Sequence, residues 1–240
     1  MKTERLEGWL DKQVSIVKMI GQKLLMKHEG VDFFIDEENK KLMEFLIYYF
    51  NGDERALDVY PEKEYRLQKS IMIYGDFGVG KNTLMDVFQQ YIIYSDNLKR
   101  NKADYLGETH VDNKELFASM DKTELCACYK KNNDFKGFSF NHKEVHYPGE
   151  IRYIANPKHM CLNDLGYNLK EKNFGNEMVD IMNCFLMARY EIYRKYGKKT
   201  HVTTNHFMTD LKINFFSEDL WDRSRTLYNI LYMAGKSKRR

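Results

Sequence analysis

The apolar positions of the chain predict helices at its amino-terminal end and alternating strands and helices after them. Residues 5–27 place leucine, isoleucine and valine at helical spacing between charged residues, which predicts an amphipathic helix. A second helix is predicted over residues 37–50, because Asn51-Gly52 is a typical helix stop. We therefore divide the chain into a small helical extension over residues 1–65 and a core domain over residues 66–240.

Short apolar runs predict the strands of the core domain. These runs are Ser70–Tyr74, His159–Leu162 and the β-branched segment His201–Asn205. Helices are predicted after the first two strands, over residues 82–93 and 176–196. Strands that alternate with helices predict an α/β fold, in which a parallel sheet is flanked by helices and binds its ligand at the carboxyl ends of the strands.

The segment between residues 97 and 150 is polar and less regular. A helix is predicted near residues 113–131 and a hairpin near residues 138–147.

Composition excludes several classes of protein. Hydrophobic residues make up 43% of the chain and aromatic residues 14%, which is typical of a globular protein. No signal-peptide pattern and no apolar stretch near eighteen residues is present, so we expect a cytoplasmic protein with no membrane partner. The four cysteines lack the spacing of a zinc site or a disulfide framework. A net charge of +3 does not by itself identify a nucleic-acid binder.

A glycine-rich loop follows the first predicted strand. The segment from Gly75 to Lys81 reads Gly-Asp-Phe-Gly-Val-Gly-Lys and fits the G-x-x-x-x-G-K pattern of a P-loop. Its glycines allow backbone N–H groups to surround a phosphate, and Lys81 supplies a cation for the β- and γ-phosphates. The sequence therefore predicts a nucleoside triphosphate site, with ATP as the ligand. The predicted nucleotide-binding residues of this loop and the following helix are Gly75, Gly78, Val79, Gly80, Lys81, Asn82 and Thr83.

Two positions depart from the usual magnesium-binding pattern. A serine or threonine normally follows the P-loop lysine, but here the residue is Asn82, and Thr83 points about 100° away around a regular helix. The apolar strand at His159 leads into Asn163-Asp164, where two carboxylates are usual. We predict that Asn82 and Asn163 take the Mg²⁺ positions and that Asp164 polarises the attacking water. The simpler alternative is that Asp164 caps a turn before Gly166.

With these elements in order, residues 66–240 resemble the DnaC/IstB-like branch of the AAA+ ATPases, which comprises helicase loaders and transposition-helper ATPases. Residues Thr200–Asn205 look like the family's sensor I strand, and the resemblance implies that Asn205 senses the γ-phosphate. Residues Leu220–Arg223 are similar to its arginine-finger element. Arg223 is then the residue that reaches a neighbouring subunit, with Arg225 as the alternative.

The end of the sequence also resembles this family. Gly235–Arg239 is similar to the sensor II block, which implies that Arg239 contacts the nucleotide of its own subunit; the alternative is a basic tail that only keeps the terminus soluble. The resemblance further implies a P-loop NTPase with an AAA+ core and without the usual C-terminal helical lid.

The resemblance implies a protein of DNA replication that loads or remodels a replicative helicase on single-stranded DNA. Its core would self-associate into an oligomer or filament, and its helical extension would grip the helicase. An IstB-like regulator that binds duplex DNA is one alternative. A pseudo-ATPase interaction module is another, because Asn82 and Asn163 both weaken Mg²⁺ coordination and leave ATP hydrolysis an open question. The sensor and finger blocks argue against a small-molecule kinase.

Overall fold

A computed structural model describes residues 2–106, 115–132, 142–155, 157–166, 170–172 and 178–237. The chain divides into two compact units, which are treated separately below. The first comprises residues 1–67, 76–116 and 231–240, and the second comprises residues 68–75 and 117–230. The described helices are α1 (Lys2–His28), α2 (Lys40–Phe50), α3 (Ala56–Val59), α4 (Lys81–Leu106), α5 (Lys122–Asn132), α6 (Ile181–Tyr196), α7 (Met208–Asp210) and α8 (Glu218–Leu227). The described strands are β1 (Ser70–Tyr74), β2 (Phe117–Met120), β3 (His142–Tyr147), β4 (Glu150–Ala155), β5 (His159–Leu165), β6 (Lys170–Lys172), β7 (Met178–Asp180), β8 (Thr200–Thr204) and β9 (Tyr228–Tyr232).

Helices α1, α2 and α4 pack together in the first unit. Both predicted amino-terminal helices are confirmed, and α2 ends where Gly52 adopts a φ of 67°. Helix α4 is longer than predicted, and its Phe88 stacks on Phe50 of α2 with ring centroids 5.3 Å apart. Residues 1–67 thus share a compact unit with α4. The boundary between an extension and a core at residue 65 stays a prediction.

A chain of polar side chains ties these three helices to one another. The Asn51 amide at the end of α2 donates to the Tyr91 hydroxyl of α4 over 2.7 Å. That hydroxyl donates in turn to Gln13 Oε1 of α1, also over 2.7 Å. Because Tyr91 is only 1% exposed, breaking this chain removes partners from a buried hydroxyl, which costs free energy.

The predicted parallel sheet is confirmed. Five strands lie in the order β2-β5-β8-β1-β9, all of them parallel. The pairs Met72↔Val202 and Leu162↔Val202 place β8 between β1 and β5. These central strands are largely buried on both faces, as expected for strands that are covered on both sides, although β8 carries mostly polar side chains.

Two predicted helices begin later than the pattern indicated. Part of the helix predicted near residues 113–131 is strand β2, and α5 starts only at Lys122; residues 113 and 114 lie outside the described residues. The four-residue run of β2 is too short to show a strand period, and its pairing with β5 decides its conformation. Helix α6 starts at Ile181, where the Asp180 carboxylate accepts a bond from the backbone N–H of Asn183.

The predicted hairpin near residues 138–147 is found slightly further along the chain. Strands β3 and β4 pair in antiparallel fashion with Tyr147 opposite Glu150. Residues 138–141 lie outside the described part of the chain. Among the described residues, no helix combines the length and apolar character needed to cross a membrane.

A buried arginine fixes the amino ends of two central strands in the second unit. Arg189 of α6 is 2% exposed and donates to Thr200 Oγ1 and to the carbonyl oxygen of Lys158, each over 2.7 Å. Its third partner is the carbonyl oxygen of Lys199 at 3.2 Å. Burial lowers the pKa of Arg189 to about 10, since a charged group is less stable away from water.

Candidate functional site

Three predicted site residues meet at the carboxyl edge of the sheet. Strand β1 ends in Tyr74, which pairs with Thr204 at the end of β8, and Thr204 pairs with Leu165 of β5. Gly75, Asn205 and Asp164 follow or adjoin these paired positions. Because the strands are parallel and adjacent, their polar termini lie along one edge, where ligands of such sheets bind.

Strand β5 contains a bulge at the predicted acidic element. Between Leu162↔Val202 and Leu165↔Thr204, β5 has two residues, Asn163 and Asp164, where β8 has one. Asp164 adopts a φ of 58°, and no other non-glycine residue among those described has a positive φ. Bulges and left-handed non-glycine residues are concentrated at functional sites, where they redirect a side chain.

Two threonines of β8 hold the bulge and the following turn. The Thr203 hydroxyl accepts a bond from the backbone N–H of Asp164 over 3.0 Å. The Thr204 hydroxyl donates to the carbonyl oxygen of Leu165 over 2.7 Å and accepts from the His206 N–H over 3.1 Å. Asn205 lies between these anchored residues, so the two threonine hydroxyls help to set its position. From the sequence, the threonines were expected only to form a strand.

A close approach explains the glycine that follows β5. Gly166 has a φ of 110°, and a Cβ added there would lie 2.2 Å from His206 Cδ2. The His206 ring also packs on Phe215, with centroids 4.5 Å apart. No sequence pattern signals this role of His206, because only the pairing of β5 with β8 brings the two segments together.

The predicted P-loop has the backbone that its glycines suggest. Gly78 and Gly80 adopt φ values of 76° and 98°, which side-chain-bearing residues rarely tolerate. Val79 between them is fully buried. Helix α4 begins at Lys81, whose side chain is only 4% exposed and whose ammonium donates to the carbonyl oxygen of Asp76 over 2.7 Å. The cation thus lies across its own loop at a helix N-terminus, an arrangement that favours an anion.

The start of α4 is regular at Asn82, the predicted magnesium-binding position. The backbone N–H of Leu84 donates to the carbonyl oxygen of Gly80 over 2.8 Å, as in an undistorted first turn. Asn82 and Thr83 are both half-buried and remain about 100° apart around the helix. No irregularity therefore shifts Thr83 into the place of Asn82.

The predicted finger residue packs on its own subunit. The Arg223 guanidinium of α8 lies 4.7 Å from the ring centroid of Tyr190, and its Nη1 contacts Met187 Sδ at 3.1 Å. Arg225 is exposed, and its carbonyl oxygen accepts a bond from Lys69 Nζ at 3.3 Å. Arg239 lies outside the described residues.

The predicted site residues belong to both compact units. Gly75, Asn163, Asp164, Asn205 and Arg223 belong to the second unit, whereas residues 76–83 belong to the first. Within the described ranges, no group of three or more His, Cys, Asp or Glu side chains is arranged to hold a metal ion.

The five-stranded parallel sheet flanked by helices, with a glycine loop between β1 and the helix that follows it, defines the class of fold as α/β with a P-loop arrangement. The chain is similar to the DnaC helicase loader, with a TM-score of 0.50 and 14% identity over 86% of this chain and 95% of that one. It is also similar to DnaI (TM-score 0.49, 17% identity, 88% and 89% covered). A third similar structure is a putative primosome component from Streptococcus pyogenes serotype M3 (TM-score 0.48, 16% identity, 85% and 86% covered). At such identities the likeness to DnaC shows the fold alone. No protein-family model and no curated protein matches the sequence.

Proposed function

We propose that this chain binds ATP in the loop from Gly75 to Lys81 and acts in DNA replication as a helicase-loader type of AAA+ protein. The conformation of the loop carries the proposal: two left-handed glycines lead into α4, and the buried Lys81 ammonium faces a loop carbonyl. A bound nucleotide replaces that neutral carbonyl with the β- and γ-phosphates, a stronger partner for a buried cation. Arg239 is the proposed second cation at the nucleotide.

The carboxyl edge of the sheet supplies the proposed groups for chemistry. Asp164 polarises the attacking water from its position in the bulge, and Asn205 senses the γ-phosphate. Arg223 reaches the γ-phosphate of a neighbouring subunit in the proposed oligomer, where it stabilises charge that develops during phosphoryl transfer. For this step the Arg223 guanidinium has to move away from the Tyr190 ring or extend beyond it.

Asn82 and Asn163 are the proposed ligands of Mg²⁺. Both offer an amide oxygen, which suits a hard cation, but neither adds the negative charge of a carboxylate. Magnesium would neutralise charge on the phosphates during transfer. Two neutral ligands favour a second candidate function, a nucleotide-binding interaction module with little turnover.

The proposed partners follow from the helicase-loader function. The core, residues 66–240, would self-associate around single-stranded DNA in the cytoplasm, and the helices of residues 1–65 would bind a replicative helicase. Salt-sensitive binding to single-stranded DNA and co-elution with the host's replicative helicase test these partners. Absence of both would rule out the loader, and a preference for duplex DNA would favour the IstB-like regulator.

The central experiment measures ATP binding and ATP hydrolysis side by side, with and without single-stranded DNA. The variants are Lys81→Ala, Asn82→Thr, Asn163→Asp and the double change. We expect the unaltered protein to bind ATP and Lys81→Ala to lose binding. Strong binding with turnover that appears only in the double variant supports the interaction module. Mg²⁺-dependent turnover in the unaltered protein supports the ATPase and excludes that module.

A further inference from the structure

A single buried asparagine holds the segment that follows β9. Asn39 is 5% exposed, and both ends of its side-chain amide bind the backbone of one distant residue. Its Oδ1 accepts from the Ala234 N–H at 3.1 Å, and its Nδ2 donates to the Ala234 carbonyl oxygen at 2.9 Å. This two-point contact fixes both the position and the direction of the chain at Ala234, as a neighbouring strand would.

The side chain of Asn39 is itself held in place. Asp36 Oδ1 accepts from the backbone N–H of Asn39 at 2.9 Å and from its Nδ2 at 2.6 Å. Asp36 also caps the short 3₁₀ helix Glu37–Asn39, which directly precedes α2. This short helix therefore holds the Asn39 side chain in the orientation in which it binds Ala234.

The segment held by Asn39 lies close to the P-loop. Met233, adjacent to Ala234, is 6% exposed, and its Cε lies 3.9 Å from the position that a Cβ would take on Gly80. Gly80 is the residue before Lys81, and its carbonyl oxygen accepts the first bond of α4 from Leu84. Asn39, Met233 and Gly80 all belong to the first compact unit. The segment held by Asn39 therefore lies beside the phosphate loop, with the Met233 side chain next to Gly80.

We propose that Asn39 is a positioning residue of the nucleotide site. By clamping Ala234 it holds Met233 against Gly80, so that the loop keeps the backbone conformation in which its N–H groups converge on phosphate. The inference rests on the proposed function, since it concerns ATP binding by the same loop. Linkage is reciprocal, so a ligand that moves the segment around Asn39 alters the affinity for ATP, and ATP alters the affinity for that ligand by the same factor.

The test compares ATP affinity, titrated with a fluorescent ATP analogue, in the unaltered protein and in Asn39→Ala, Met233→Ala and Lys81→Ala. The matched control is Asn51→Ala, which removes an amide that also bonds within the first unit, to Ile47 and Tyr91, but has no hydrogen bond to Ala234 or Met233. Thermal melts without nucleotide measure the general loss of stability in each variant. Hydrogen exchange at the Leu84 amide reports the conformation of the loop independently of nucleotide.

We expect Asn39→Ala and Met233→Ala each to weaken ATP binding about tenfold and to speed exchange at Leu84. Asn51→Ala lowers the melting temperature but changes the affinity for ATP less than twofold.

Unchanged ATP affinity in Asn39→Ala, or equal weakening in Asn39→Ala and Asn51→Ala, overturns the positioning role and leaves the proposed function standing. If the unaltered protein binds no better than Lys81→Ala, the proposed function fails and the positioning role fails with it. Should Asn39→Ala not fold, Met233→Ala decides by the same criteria.

Discussion

Substituting Gly166 tests the geometry at the carboxyl edge of the sheet directly. A Cβ at this residue would lie 2.2 Å from His206 Cδ2 and 2.9 Å from His206 Nε2, well inside contact distance. The imidazole cannot simply withdraw, because it packs on Phe215 with ring centroids 4.5 Å apart. Gly166→Ala therefore forces either the ring or the backbone after β5 to move.

The expected cost has two parts. An alanine at positive φ costs about 1–2 kcal/mol on its own. Inserting a methyl group into filled space adds about 1–3 kcal/mol. The free energy of unfolding should therefore fall by about 2–5 kcal/mol. Gly197 provides a matched control: it has a φ of 64° at the end of α6, but nothing lies within 4 Å of an added Cβ. Gly197→Ala should cost only the first part.

Urea unfolding of Gly166→Ala, His206→Ala and the double variant isolates the contact. In the His206→Ala background the methyl group has room, so Gly166→Ala should cost no more than Gly197→Ala. The resulting coupling energy should be about 1–3 kcal/mol. A coupling near zero, or equal costs for Gly166→Ala and Gly197→Ala in the otherwise unaltered protein, would refute the close approach.

Three further predictions follow from buried and site residues. Arg189→Met removes the donor of three hydrogen bonds and should lower the free energy of unfolding by about 2–4 kcal/mol, measured by urea titration; a loss below 0.5 kcal/mol, roughly a surface effect, would contradict this. Burial holds the pKa of His201 well below its usual value, and its Nδ1 accepts from the Ile71 N–H at 3.0 Å, so the folded state disfavours protonation. The unfolded state then binds more protons below about pH 6.5, and stability should fall by up to about 1.4 kcal/mol per pH unit as the pH drops from 6.5 towards the folded pKa. His201→Asn keeps an acceptor but cannot titrate, so it should flatten this dependence; an unchanged slope would contradict the assignment. Lys81→Ala should abolish the thermal stabilisation by ATP while leaving the melting temperature without ATP within a few degrees, and persistent stabilisation by ATP would contradict the P-loop assignment.

Local sequence patterns predicted the elements whose conformation depends mainly on residues near them in the chain. The strand Ser70–Tyr74 is apolar throughout, and α2 ends at Asn51-Gly52 as the residues indicate. Strand β2 was missed because its four residues carry no clear period, and only pairing with β5 makes them extended. The start of α6 was misplaced for a similar reason, since Asp180 both ends β7 and caps the helix.

Much of the candidate site was predicted from spacing alone, but its geometry was not. The glycines of the P-loop, the polar residues near the end of β5 and the polar residue after β8 are visible in the sequence as motifs. The bulge at Asp164 and the contact of Gly166 with His206 depend on the register between β5 and β8, which neither strand specifies by itself. The clamp of Asn39 on Ala234 joins residues 195 positions apart, a distance over which no pattern in a single sequence carries information.

The usual residues can be placed at the two proposed magnesium positions to test metal coordination. Asn163 Oδ1 accepts a weak bond from the Cys161 thiol at 3.6 Å, and Asn163→Asp keeps an oxygen acceptor at that place. Asn82→Thr changes a half-buried residue at the start of α4 between two side chains of similar helix propensity. Each change should therefore alter the free energy of unfolding by less than about 1 kcal/mol. A gain of ATP turnover in the double variant would then report magnesium coordination rather than folding, whereas unchanged turnover in a stable, ATP-binding double variant would show that these positions do not limit the chemistry.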